Sequence, residues 1–129
     1  MTGGYLRFQC TTPNDRGVLP GIFFAVNGLA REGRLTAEQE EFRRTTNAWY
    51  DAAYTTPTDV DPTVYDPAVN PGAVAWFKPT ARHLLDRIGG YLDILDAHGV
   101  PYVRLESADP GRVVYEDEDQ IVVIPHPEP

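Results

Sequence analysis

Cysteine and lysine are almost missing from this chain of 129 residues: Cys10 and Lys78 are the only ones. One cysteine cannot close an internal disulfide, so the sequence predicts a reducing compartment and a core that forms without covalent staples. Basic charge is also scarce, with 11 Lys and Arg against 19 Asp and Glu and a net charge of -8 at pH 7. Nucleic acid is therefore not expected as the main ligand, because neutralising phosphates requires a basic surface. Apolar runs fall far short of the ~20 residues that span a bilayer, so no membrane association is expected. The N-terminus, Met1-Thr2-Gly3-Gly4, lacks a basic segment followed by an apolar stretch, so no signal peptide is expected and a cytoplasmic location follows.

Motifs that carry chemistry are missing as well. There is no G-x-S-x-G, no Walker loop and no G-x-G-x-x-G. His83, His98 and His126 form no i,i+4 pair and have no second cysteine beside them, so neither metal nor cofactor is expected. Cys10 lacks a local signature for a nucleophile, and a free cysteine is ordinarily a small core residue. No catalytic residue can be named from spacing.

What is present points to one globular domain over residues 1–129, given the usual ~100–200 residues per domain. Leu6, Phe8 and Cys10 alternate with Tyr5, Arg7 and Gln9, as in a half-buried strand. A turn-rich loop over 11–17 follows. Ile22, Phe23, Val26, Leu29 and Ala30 recur at helical spacing, with Gly33 as the terminating glycine. Thr36 and Gln39 make a capping box for a second helix, acidic early and arginine-bearing later, as the helix dipole favours. Its apolar positions, Leu35, Phe42, Trp49, Ala52 and Ala53, predict one narrow buried stripe.

Pro57, Pro62, Pro67 and Pro71 exclude a regular helix or central strand between residues 55 and 72. A connection this long tends to be functional, and Val60, Val64, Tyr65 and Val69 are expected to pin it. A third helix is expected from Pro79 or Thr80 through Leu95, interrupted at Gly89-Gly90, where a close backbone contact is anticipated. His98-Gly99-Val100-Pro101 ends it. Three short strands then follow, with turns at Asp109-Pro110-Gly111 and at the acidic run ending in Asp119. The predicted fold is α+β: an antiparallel sheet of about four strands, made of the N-terminal strand and a C-terminal three-stranded meander, with about three helices on one face.

Candidate binding residues fall in two groups. Trp49, Tyr54, Tyr65 and Trp76, with Tyr50 and Phe77, bracket the proline loop; such side chains line pockets and also pin loops. Arg7, Tyr115 and Glu116 are placed on the sheet, where Arg7 is expected near Glu116 or Gln120 if the first strand pairs with the last ones. Simple alternation puts Glu116 on the face opposite Tyr115 and Val113. The run Glu116-Asp117-Glu118-Asp119 lacks the ligand offsets of a calcium loop; it suits a solvated turn or a basic partner.

Leu19-Pro20-Gly21-Ile22-Phe23, Trp76-Phe77-Lys78-Pro79 and Asp109–Asp117 resemble a family of small bacterial single-domain proteins, a likeness that brings no activity with it. Arg7 on an early strand and Glu116 or Glu118 before a late strand also resemble the ADP-ribosyltransferases. Gln120, not an acid, directly precedes Ile121, and no Ser-Thr-Ser strand is present. The expected function is a binding or accessory module that recognises a protein or small molecule through the aromatic loop and the polar sheet face. The alternative is a nucleotide-dependent transferase using Arg7 and Glu116. A homodimer through an edge strand or the third helix is a further reading.

Overall fold

The alternation at the N-terminus makes β1 (Tyr5–Cys10), which buries Leu6 and Cys10. A computed structural model describes residues 4–13 and 19–126, so most of the expected 11–17 loop lies outside the described residues. The elements after β1 are α1 (Ile22–Arg31), α2 (Ala37–Ala53), α3 (Pro57–Val60), β2 (Val74–Phe77), α4 (Arg82–Leu85), α5 (Gly89–Ala97), β3 (Tyr102–Ser107), β4 (Gly111–Glu116) and β5 (Gln120–Pro125). The class is α+β, with a five-stranded antiparallel sheet in the order β3-β1-β2-β5-β4. No described helix is long and apolar enough to cross a membrane.

The topology departs from the sequence reading in three ways. The C-terminal strands are not a meander: β4 pairs with β5, but β3 lies at the opposite edge, beyond β1 and β2. The fifth strand is Val74-Ala75-Trp76-Phe77, which the sequence reading treated as the aromatic end of the proline loop. The expected third helix is two pieces, α4 and α5, because the chain leaves the helix between Leu85 and Gly89.

The chain divides into two compact units. The first comprises Met1–Arg7, Asp51–Arg82 and Glu106–Pro129. Its centre is β5, where Ile121, Val122 and Val123 are all fully buried. Successive strand residues point to opposite faces, so β5 is covered on both. A single helical layer on one face, as expected from sequence, does not account for this. Four prolines do not bar a helical turn here: α3 starts on Pro57, where a missing N–H costs nothing. Of the four expected pins, Val64 alone is buried; Val60, Tyr65 and Val69 are 63%, 39% and 53% exposed. Pro57 and Asn70 complete the anchoring, the Asn70 amide donating to the carbonyls of Thr63 and Val64.

The second unit comprises Phe8–Tyr50 and His83–Leu105. Ile22, Val26 and Leu29 of α1 and Tyr91, Ile94 and Leu95 of α5 form its buried stripes. The capping box at the start of α2 forms in both directions: Thr36 N donates to Gln39 Oε1 at 2.9 Å, and Gln39 N to Thr36 Oγ1 at 3.1 Å. Tyr50, not Trp49, is the buried aromatic of α2. Its ring meets Phe23 and Tyr91, and its hydroxyl donates to the Leu84 carbonyl at 2.5 Å. Gly33 and Gly99 both take positive φ, as expected of helix-ending glycines.

Candidate functional site

The β4–β5 turn is built around one carboxylate of the acidic run. Asp117 accepts from the Tyr115 hydroxyl at 2.7 Å, from the backbone N–H groups of Asp119 and Gln120, and from the Gln120 side-chain amide at 3.1 Å. Burial pushes the Asp117 carboxyl up, but these hydrogen bonds outweigh it and hold the group below its ordinary value. The same arrangement works in reverse on Tyr115. Burial, then the hydrogen bond to Asp117 and its charge, push the phenol up to about 12. Gln120 also donates to the Thr55 carbonyl at 2.8 Å, tying the turn to the segment that leaves α2.

Tyr54 and Tyr65 stand around the same turn. Burial raises the Tyr54 phenol, and the charges of Asp51 and Asp117 raise it further. Burial raises Tyr65 too, with Tyr54 adding to the effect and Arg7 opposing it. Arg7 is lowered by burial and donates to the Ala75 carbonyl at 3.0 Å. Asp117 thus acts on Tyr54 and Tyr115, while Tyr65 is the neighbour through which Arg7 is felt.

Glu116 has a different partner. Its carboxylate pairs with Lys78 at 2.6 Å, and that bond is the main reason the Lys78 ammonium is raised. The expected Arg7–Glu116 juxtaposition fails for a topological reason. β2 and β5 intervene between β1 and β4, and three ladder steps of ~4.8 Å separate the two strands by about 14 Å. A bulge between Val113 and Tyr115 also changes the faces. Glu116 lies opposite Ile121 and Val113 opposite Val123, so these two share one face, while Tyr115 lies opposite Val122 on the other. Simple alternation had grouped Val113 with Tyr115. Arg7 therefore does not adjoin Glu116, whose carboxylate is paired with Lys78 instead.

Trp49 belongs to the second unit and Trp76 to the first. Trp49 packs within the second unit against Tyr50, His83 and Arg87. Trp76 lies in β2 opposite Ile121, and its Nε1 is buried without a hydrogen-bond partner among the described residues. Cys10 is buried, and burial raises its thiol, which disfavours the nucleophilic thiolate.

Beside the turn is a cleft of about 430 Å³, lined by Ala52, Ala53, Tyr54 and Thr55 on one side and Asp117, Glu118 and Asp119 on the other. α2 places no basic residue in its last turn, so its carbonyl end adds negative potential where Ala52 and Ala53 line the cleft. No cluster of three His, Cys, Asp or Glu among the described residues converges to hold a metal ion. Sequence reasoning missed Asp117, Gln120 and Thr55 as organising residues. The available signal was an aspartate two and three residues before the amides it caps, a recurrent turn device. Comparison with protein-family models, curated proteins and solved structures finds no match.

Proposed function

We propose that this chain is a binding module that takes a cationic group, an ammonium or guanidinium carried by a small molecule or a protein, in the cleft beside the β4–β5 turn. The supporting observation is the lining: three consecutive acidic residues face the carbonyl end of α2, with the Tyr54 ring as one wall. A tyrosine face and a carboxylate wall are complementary to a cation, each attracting it electrostatically. Asp117 is occupied in holding the turn, which leaves Glu118 as the exposed acid of the lining.

Calorimetric titration of the protein with spermidine and with a tri-arginine peptide tests the reading. Saturable binding is expected, weakened about fivefold in Glu118→Gln, since a partly exposed ion pair contributes roughly 1 kcal/mol. Tyr54→Leu should weaken it by a similar factor through loss of the ring face. Heat that is absent for both probes, or unchanged in both variants, would reject the cleft as a cation site.

A further inference from the structure

The second unit contains an arginine held in place by an aromatic ring alone among the described residues. The Arg87 guanidinium lies 3.9 Å from the centroid of the Trp49 ring, stacked on its face. Arg87 is exposed, and among the described residues its guanidinium has no hydrogen-bond or ion-pair partner. The platform beneath it is fixed. Trp49 meets Tyr50 edge-on at 5.0 Å between centroids, and Tyr50 is buried and bonded to the Leu84 carbonyl. His83 approaches the same indole edge-on at 6.4 Å. His83 and Arg87 are four residues apart on a segment whose turns continue through Ile88, which places both against Trp49.

Stacking on an aromatic face leaves the edge of a guanidinium open. Its five N–H donors lie in the plane of the group, and the ring covers only one face of that plane. The stack also removes much of the rotamer freedom that an exposed arginine would otherwise lose on binding. A molecule of net charge -8 has little general attraction for anions, so a stacked and unpaired guanidinium is a local exception. We propose that Trp49, Arg87 and His83 form a site for a phosphate monoester, with the Arg87 fork taking two phosphate oxygens and the His83 imidazole standing beside them. The site takes a ligand opposite in charge to the one proposed for the acidic cleft.

The test follows tryptophan fluorescence in the full chain carrying Trp76→Phe, so that Trp49 is the reporter, during titration with inorganic phosphate and, in a second arm, phosphoserine. A saturable change in Trp49 emission is expected. Arg87→Ala should weaken it about tenfold or more, the scale of losing hydrogen bonds to a charged group. Arg87→Lys keeps the charge but not the planar fork, and should weaken it nearly as much. Equal affinity for both probes assigns recognition to the phosphate alone; tighter phosphoserine binding assigns part of it to the organic portion. Thermal melting of each variant checks that the fold is retained. If Trp76→Phe perturbs folding, the same titration followed by amide chemical shifts of residues 83–88 in the unaltered chain replaces it. No saturable response, or one unchanged in Arg87→Ala, would overturn the proposal.

Discussion

Tyr115 and Asp117 shift each other's titration in opposite directions through one hydrogen bond, on top of burial. The folded Tyr115 phenol is raised to about 12, above its ordinary value near 10. Its contribution to stability is therefore complete below pH ~10 and lost as pH rises through the folded value. Asp117 is lowered in the folded chain, so its contribution is present above the ordinary carboxylate range and lost as pH falls through the folded value. Spectrophotometric titration of tyrosinate should show a group of phenols ionising late, and the amplitude of that late step should fall by one phenol in Tyr115→Phe. Asp117→Ala should cost about 1–3 kcal/mol at neutral pH, because it strands the N–H groups of Asp119 and Gln120. A tyrosine titration unchanged by Tyr115→Phe would refute the assignment. The sequence shows four adjacent acids, but not which of them turns inward. That depends on the bulge at Val113–Tyr115, which alternation alone cannot reveal.

At the scale of elements, legibility tracks how local the cause is. The Thr36–Gln39 capping box, the terminating glycines Gly33 and Gly99, and the α1 stripe depend on neighbours within a few residues, and all three could be read directly. β2 could not: four residues between Pro71 and Pro79 become a strand because β1 and β5 lie on either side. The Gly89-Gly90 pair falls between these cases. A close contact was expected there, and the structure assigns it to Gly90 alone. A Cβ at Gly90 would collide with the Phe42 ring, whereas one at Gly89 meets nothing within 4 Å. Phe42 cannot easily yield, since its ring also meets Tyr91 edge-on at 5.2 Å. Gly90→Ala should therefore destabilise by roughly 1–3 kcal/mol through overpacking, despite alanine's better helix propensity. Gly89→Ala should stabilise by about 0.5 kcal/mol, mainly by restricting the unfolded chain. Urea midpoints moving in opposite directions would bear this out; two shifts of the same sign would count against it.

For the whole molecule, the α+β class was legible because helical and alternating patterns occupy separate stretches, while strand order was not. Adjacent strands in sequence usually pair, and β4 and β5 do, but β3 lies at the other edge. Net charge, by contrast, needs no fold to be read, and it makes a kinetic prediction about the proposed cation site. With a charge of -8, the molecule's field reaches beyond the cleft and should steer a cationic probe during encounter. Screening shortens that reach from ~30 Å at 0.01 M salt to ~8 Å at 0.15 M. Contacts inside the cleft act over a few ångströms and are screened much less. The association rate of the tri-arginine peptide, followed by stopped-flow, should therefore fall steeply with salt while its dissociation rate changes little. Glu118→Gln removes one charge in eight from the field but one contact from the cleft. It should raise the dissociation rate more than it slows association. A salt-insensitive association rate would show that the overall field has no part in capture. An unchanged dissociation rate in Glu118→Gln would place the bound cation elsewhere on the acidic surface.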